Sequence, residues 1–390
     1  MNFRALFALA TAHFLGDSYA SFLAPLLPVL IIRHGLDLKE AGLLAAVLST
    51  AGHLMQPAWG FLADRWPGRR FAIAGPLLMA ICISTIGLAP SLAFLILALA
   101  VGGSGMAAFH PEAASLARQS SGSRPALGMS LFISGGNLGY SLGPVVATSL
   151  VAAFGLGGTI WGMIPGVVGS LILLKLVPAP PKTVESKPTA SDAIPATPSP
   201  LTMRPLVNLW AISILRGLVT VNFLTFLPIL FAGRGLSLTI GGRLVALFLL
   251  AGALGGVLGS FAAERFGSKR MMGTTLALAT PVLLGAIWTS GAVQGTALLV
   301  GGFLLVASHP VNVSFAQSLA PHRAGTAAAF MIGVAMGVSG LLMPVVGAAA
   351  DVYGIEVALS AIAFGPFFGA ILVLPLPTAV PRKAGVSPLP

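Results

Sequence analysis

Charged and ionisable side chains stand inside stretches of sequence that are otherwise apolar. Asp17 lies in the middle of the first stretch, and His13 precedes it by four residues, which places both on one face of a helix. Glu112 lies in a later apolar stretch. A charge inside a membrane-spanning helix is costly and marks a functional site by default. A buried carboxylate beside a histidine is suited to loading and releasing protons, so we predict a proton-coupling role for Asp17, assisted by His13 and Glu112.

Arg216 is the basic counterpart, inside another apolar stretch. At an offset of 200 residues it aligns with Gly16, the neighbour of Asp17. If the offset reflects a structural repeat, Arg216 and Asp17 lie at similar depth on opposite walls of a cavity. Two roles remain open: Arg216 binds an anionic group of a ligand, or it neutralises Asp17.

Two histidines occupy equivalent places in this repeat, since His110 and His309 each precede a proline. We predict that both contribute to ligand binding. Further polar residues within apolar stretches are candidates for lining the same cavity: Asn137, Tyr140, Asn222 and Asn312. The spacing of histidine, cysteine and acidic residues indicates no metal site, and we expect no metal and no cofactor.

Composition identifies the solvent of this chain. Of its 390 residues, 56% are hydrophobic and only 8% are charged, and the mean hydropathy is +0.96. A soluble domain has about 25% charged residues, so we predict an all-α integral membrane protein. The net charge of +11 does not indicate nucleic-acid binding, because the basic residues stand at the ends of apolar runs.

The apolar runs predict twelve transmembrane helices, because a span needs about 20 mostly apolar residues. The first six are near 5–32, 41–63, 71–89, 92–117, 126–153 and 158–177. The second six are near 206–232, 240–263, 271–289, 296–318, 325–350 and 356–375. A proline-rich stretch with scattered charges, 178–203, reads as an exposed linker. We therefore predict one six-helix bundle over 1–177, a linker over 178–203 and a second bundle with a short tail over 204–390.

The two bundles look like copies of one unit. Leu27-Pro28 returns as Leu227-Pro228, and Pro144-Val145 returns as Pro344-Val345. A fixed offset of this kind indicates an internal structural repeat. Six spans return the chain to its starting side, so the two copies are parallel and pseudo-symmetric.

Orientation follows from the basic residues. Most of the lysines and arginines fall at the ends of spans on the side of the N-terminus. The opposite side has only Arg33, Lys39, Arg234 and Arg243. The positive-inside rule then places both termini and the linker in the cytoplasm, in a protein of the inner membrane.

The loop after the second predicted span reads Gly-Phe-Leu-Ala-Asp-Arg-Trp-Pro-Gly-Arg-Arg. This string resembles the signature that major facilitator superfamily transporters carry between spans two and three. The resemblance implies a gate on the cytoplasmic side that stabilises one conformation of the transport cycle. The residues that match the signature are Gly60, Asp64, Arg65, Arg69 and Arg70.

The fifth predicted span contains Gly139, Gly143 and Pro144, small residues four apart followed by a proline. Glycines at this spacing let helices approach closely. The string resembles the antiporter signature of drug-exporting major facilitators, although Ala147-Thr148 stands where that pattern has two glycines. Phe109-His110-Pro111-Glu112, together with the strings around Asp17 and Pro28, resembles the fosmidomycin-resistance branch of the superfamily.

These features predict a secondary active transporter and no enzyme, since no nucleophile, metal or phosphate-binding motif is present. The resemblance implies a proton-coupled antiporter that exports a small drug-like or anionic compound by alternating access. Its expected partners are this substrate, protons and the lipid bilayer, and the expected state is a monomer. Two alternatives stay open: a proton-coupled importer of a metabolite, and a membrane sensor or receptor that binds without flux.

Overall fold

The computed structural model describes residues 1–66, 68–178 and 200–377, and these residues form helices joined by short turns. Among them, 11 helices are long and apolar enough to cross a membrane. In the first half of the chain these spans are Phe3–His34, Arg70–Leu88, Leu92–Ser120, Leu127–Phe154 and Leu156–Leu176. In the second half they are Met203–Gly233, Leu238–Phe266, Ser268–Trp288, Gly291–Leu319, Gly325–Tyr353 and Ile355–Val373.

The remaining crossing is span 2, which consists of two shorter helices, Leu38–His53 and Gln56–Arg65. The break falls at Leu54 and Met55, and Pro57 lies in the first turn of the second helix. Proline is tolerated there because the first N–H groups of a helix have no intrahelical acceptor. With this broken helix counted, the all-α fold with twelve crossings is confirmed, and we number the spans 1 to 12 in chain order.

The predicted linker over 178–203 lies mostly outside the described residues, which omit 179–199 and 378–390. Its composition therefore remains the basis for the proposed division between the two bundles.

Each set of six spans has its own apolar interior. In the first set Leu26, Leu27 and Leu30 are fully buried, and in the second set Phe226 and Phe231 are fully buried. The outward surface is apolar as well: Phe7 is 76% exposed and Val352 is 72% exposed. Apolar residues on both sides of a helix are typical of a span that contacts protein on one side and lipid on the other.

Because the spans cross alternately, the molecule has two faces. We call the face that carries residue 3 and Arg69 the terminal face, and the face that carries the 35–37 turn the far face. At the terminal face, the Arg69 guanidinium donates to the carbonyl of Val177, and the Lys269 ammonium donates to the carbonyl of Leu376 at 2.8 Å. Both contacts neutralise the negative end of the last helix in their half.

The far face has a second repeated contact. The Arg33 guanidinium donates to the carbonyl of Gly87 at 2.7 Å, and Arg234 donates to the carbonyl of Thr289 at 3.0 Å. Each arginine thus fastens the end of the first span of its half to the end of the third. The 200-residue repeat is therefore a repeat of structure and not only of residue types.

The two halves pack against each other toward the far face. A Cβ on Gly42 would meet the backbone of Met343 at 2.9 Å, and a Cβ on Gly347 would meet the backbone of Leu38. Span 2 and span 11 therefore touch backbone to backbone. Close packing of this kind is typical of small residues at membrane helix interfaces.

Span 5 uses its glycines in a similar way against span 1. A Cβ on Gly139 would collide with the carbonyl of Phe14, and one on Gly143 would collide with the hydroxyl of Ser21. Ser18 also donates to the carbonyl of Gly139 at 3.1 Å. The predicted role of these two glycines in helix packing matches their contacts.

We expect Gly139→Ala to lower the free energy of unfolding by roughly 1–3 kcal/mol, because the added methyl group forces spans 1 and 5 apart. The melting temperature of the purified protein in detergent measures this change. Gly273→Ala is the matched control, since its Cβ would meet only a methyl group of Val373 at 3.8 Å. Equal melting temperatures for the two variants would contradict the packing role.

Candidate functional site

Span 1 and span 4 bring three ionisable side chains into one group. The Nε2 atoms of His13 and His110 each lie 3.3 Å from a different carboxylate oxygen of Asp17. The same two Nε2 atoms lie 3.2 Å from each other. We call these residues the His–Asp triad. The sequence predicted the pairing of His13 with Asp17, but it placed His110 in the ligand site and not beside them.

The backbone determines the tautomers of the two imidazoles. His13 Nδ1 lies 2.8 Å from the carbonyl oxygen of Phe132, and His110 Nδ1 lies 2.8 Å from that of Met106. A carbonyl oxygen only accepts, so each Nδ1 carries a proton. If both rings were neutral, their two Nε2 atoms and the carboxylate would all be acceptors facing one another. The three groups therefore need at least one shared proton, on an Nε2 atom or on the carboxyl group, to be joined by hydrogen bonds.

Aromatic and small residues hold this group in place. The ring of His13 stacks on Phe132 with centroids 4.2 Å apart and lies 5.8 Å from Phe109. On span 5, a Cβ added to Gly136 would lie 2.7 Å from a carboxylate oxygen of Asp17 and against Nε2 of His13. Gly136 therefore supplies the space that the triad occupies. Sequence reasoning missed it, although the Gly135-Gly136 pair was a visible signal of close approach.

The triad also bears on the expectation that no metal is bound. Its nitrogen and oxygen atoms lie within 4.8 Å of one another, which is close enough to hold a metal ion. The separations of 3.2 and 3.3 Å suit hydrogen bonds and also suit three ligand atoms around one ion, so the absence of a metal stays a prediction. Spacing along the chain could not have revealed this group, because His110 is 97 residues from His13.

The equivalent place in the second half holds a positive charge. Arg216 on span 7 is only 4% exposed, and His309 on span 10 is close enough to feel its charge. Within the described residues, the guanidinium of Arg216 has no hydrogen-bond or ion-pair partner, and Nδ1 of His309 is buried without one. Asp17 is paired with histidines instead, so the structure does not show Arg216 neutralising it. An unpaired guanidinium inside a membrane protein is a ready receptor for an anion.

The remaining predicted ligand residues lie in different surroundings. Asn312 is buried and donates to the Ser213 hydroxyl at 2.7 Å, which ties span 10 to span 7. Asn222 is buried and donates to the carbonyl of Leu218 in its own helix at 2.8 Å. Asn137 is exposed. The structure thus does not bring the three asparagines into one group.

Tyr140 does reach a cavity between the halves. This cavity is largely apolar, with His53 and Thr225 among its few polar members. Three flexible methionines also line it: Met106, Met336 and Met343. Methionine adapts to irregular apolar shapes, so the cavity is suited to an apolar part of a ligand.

Glu112 lies in the terminal-face half of span 4, two residues beyond His110, and is not part of the triad. Its Oε2 accepts a hydrogen bond from the backbone N–H of Ala72 at 2.6 Å, in the first turn of the helix that begins at Arg70. Its other oxygen is buried without a partner. A carboxylate at a helix N-terminus is stabilised by the helix dipole. These contacts give Glu112 a capping role, and the structure adds no support for its predicted part in proton coupling.

The gate residues surround the turn between spans 2 and 3. Gly60 faces Pro111, and a Cβ there would be at an ordinary contact distance of 3.7 Å. The Arg65 guanidinium lies 4.8 Å from the centroid of the Phe61 ring. Arg70 begins span 3 and acts electrostatically on Glu112. The side chain of Asp64 lies outside the described part of the structure.

Two bundles of six spans, joined at a central interface that contains polar groups and a cavity, define a membrane transport protein. A family model described as Major Facilitator Superfamily matches residues 7–344. The chain belongs to the major facilitator superfamily, whose members are transporters and not enzymes.

Two curated relatives are similar along nearly the whole chain. The fosmidomycin resistance protein of Escherichia coli (strain K12) is 28% identical over 389 residues, covering 95% of this chain and 92% of the relative. An uncharacterized MFS-type transporter of Bacillus subtilis (strain 168), YfnC, is 26% identical over 379 residues, with the same coverage of 95% and 92%.

Solved structures support the fold. A bacterial homolog of the human lysosomal transporter Spinster, in an inward-facing and occupied conformation, has a TM-score of 0.74 at 17% identity, covering 94% of this chain and 95% of that one. The nucleoside transporter NupG has a TM-score of 0.74 at 15% identity, covering 96% and 98%.

Substitution of Gly136 tests the geometry of the triad. We expect Gly136→Ala to displace Asp17 from the two imidazoles, because its methyl group would occupy their space. Nitrogen-15 NMR spectra of histidine-labelled protein should then show altered Nε2 signals for His13 and His110. Gly333→Ala is the control, since no heavy atom lies within 4 Å of its added Cβ. Unchanged histidine signals in the Gly136 variant would exclude this arrangement.

Proposed function

We propose that this protein is a proton-coupled secondary transporter of the inner membrane that exports a small compound with an anionic group. The observation that carries the proposal is the placement of opposite charges in equivalent spans of the two halves. Spans 1 and 4 hold a carboxylate satisfied by two histidines, whereas spans 7 and 10 hold an arginine with no partner among the described residues. One half thus holds a proton site and the other an anion site.

In this proposal Arg216 binds the negative group of the substrate. Its guanidinium offers five N–H donors in a planar fork that suits carboxylate, phosphate and phosphonate groups. His309 is close enough to feel the charge of Arg216 and has a ring nitrogen without a partner among the described residues, so it can add a further contact. The methionine-lined cavity between the halves would take the less polar part of the substrate.

The triad carries the coupling proton. His110 moves from the predicted ligand site to the proton site, because it contacts both Asp17 and His13. His110 is on span 4 and Asp17 is on span 1, so a change in protonation changes the attraction between these two helices. That attraction links the charge of the site to the arrangement of the first bundle.

The direction of transport rests on sequence and resemblance. The basic residues favour a terminal face in the cytoplasm, and the halves pack together toward the far face. Substrate would then enter from the cytoplasm in this conformation. The relative from Escherichia coli is named for resistance to fosmidomycin, which fits export of a phosphonate.

Asp17→Asn should abolish flux driven by a pH gradient, because the amide cannot load and release a proton. Protein in proteoliposomes with a chelator present, and fosmidomycin as the probe, measures this flux. The exposed Glu264 gives the control, Glu264→Gln. Undiminished pH-driven flux in the Asp17 variant would refute proton coupling at this residue.

Arg216→Gln should weaken the apparent affinity for an anionic probe by roughly 30-fold or more, because a buried charge pair is lost. The apparent affinity of the Arg216→Lys variant should lie between those of the Arg216→Gln variant and the unchanged protein, since lysine keeps the charge but not the planar fork of donors. Arg243→Gln removes an exposed arginine as the control. Equal affinities in all variants would exclude Arg216 as the anion receptor.

The same vesicles separate the alternatives. Inverted vesicles with an acidic lumen should accumulate the probe if the protein is an exporter by antiport. Accumulation of the probe only when protons flow in the same direction as the probe would indicate an importer. Binding of fosmidomycin without flux under any gradient would indicate a sensor.

A further inference from the structure

We propose that Asp351 is a gate residue that holds the two halves together at the far face. Asp351 lies near the end of span 11, in the second half of the chain. Its two carboxylate oxygens accept hydrogen bonds from the backbone N–H groups of Leu38 and Lys39, at 2.9 and 3.0 Å. These N–H groups belong to the first turn of span 2, in the first half.

The first turn of span 2 needs this carboxylate. Asp37 accepts from the N–H of Glu40 at 2.7 Å, and the Glu40 side chain accepts from the N–H of Asp37 at 3.1 Å. Among the described residues of their own half, this capping box leaves the N–H groups of Leu38 and Lys39 without an acceptor. Asp351 supplies both acceptors at once, and its charge faces the positive end of the helix dipole.

The position of Asp351 is fixed by the backbone contact beneath it. Gly347, one turn earlier on span 11, packs against the carbonyl of Leu38 and the Cα of Lys39. The carboxylate can therefore reach the helix end only while spans 2 and 11 are in contact. Opening of the far face breaks both hydrogen bonds together.

The hydrogen bonds of Asp351 stabilise the closed far face, and they can still break when the halves separate. Asp351 is exposed, so water replaces its partners when the halves separate. It differs from the Arg234–Glu356 pair, with 3.4 Å between nitrogen and oxygen, which lies at the same face but within one half. Of these two contacts, only the one made by Asp351 joins the two halves and changes when one half moves against the other.

The test measures the conformational equilibrium directly and without substrate, so it is independent of the proposed cargo and coupling ion. Nitroxide labels at Pro90→Cys and Ser290→Cys, in a Cys82→Ala background, report the distance between exposed turns of the two halves at the far face. Double electron–electron resonance spectroscopy on the full-length protein in nanodiscs then gives the ratio of open to closed populations.

We expect Asp351→Asn to raise the ratio of open to closed protein roughly fivefold, as loss of a charged cap at a helix N-terminus implies. Glu356→Gln, which alters a carboxylate at the same face within one half, should leave the ratio unchanged. An unchanged ratio for Asp351→Asn, or an equal increase for both variants, would overturn the proposal.

Leu38→Pro tests the same contact from the other half. It removes one of the two N–H donors while keeping Asp351. Proline suits this first helical position, because the preceding Asp37 is already extended, with φ −86° and ψ 173°. We expect an increase in the open population that is not additive with Asp351→Asn. Full additivity of the two changes would show that they act on different contacts.

Discussion

The interior of a bilayer offers no water to a buried charge, so a charged side chain must find its partners within the protein. Asp17 meets this constraint through two imidazoles, and each imidazole is in turn fixed by a backbone carbonyl. Three spans are therefore held at a defined separation. Position 136 on span 5 is a glycine, because the His–Asp triad that it faces leaves no room for a side chain.

The same constraint applies to the second half, which has the same scaffold but a different buried charge. The scaffold is repeated closely enough that Arg69 and Lys269 bind equivalent carbonyls 200 residues apart. The charges inside the spans are not repeated. By the 200-residue offset Arg216 is equivalent to Gly16, the neighbour of Asp17, and in the part of the chain that the structure describes its guanidinium has no partner of the kind that Asp17 has. Symmetry keeps the two sites at comparable places in their bundles, and the difference in charge gives each site its own chemistry.

Packing between the halves must be close yet reversible. Glycines on spans 2 and 11 allow backbone contact over an apolar surface, which would be hard to separate if it were interlocked by large side chains. A polar contact at the water-exposed end of this interface favours one arrangement of the two halves, because the contact forms only in that arrangement. Methionines in the cavity below can repack as the interface changes.

Much of the fold could be predicted from the sequence, because the bilayer requires long apolar helices and hydropathy records them. Predicted spans such as 271–289 and 356–375 fall within a few residues of Ser268–Trp288 and Ile355–Val373. The break in span 2 was not predicted, since an apolar run looks the same whether its helix is continuous or bent. The pairing of His13 with Asp17 was predictable too, because neighbours four apart on a helix are adjacent in space.

Contacts between distant segments required the tertiary structure. His110 joins the triad, Glu112 caps a helix, and Asp351 bridges the two halves, although all three are simply polar residues near or within apolar runs. The sequence alone determined which residues cross the membrane, and that the halves repeat, because both depend on local hydropathy and on residue identity at a fixed offset. Only the packing of helices decided which charges meet, because it depends on how each helix is rotated and where its neighbours leave space.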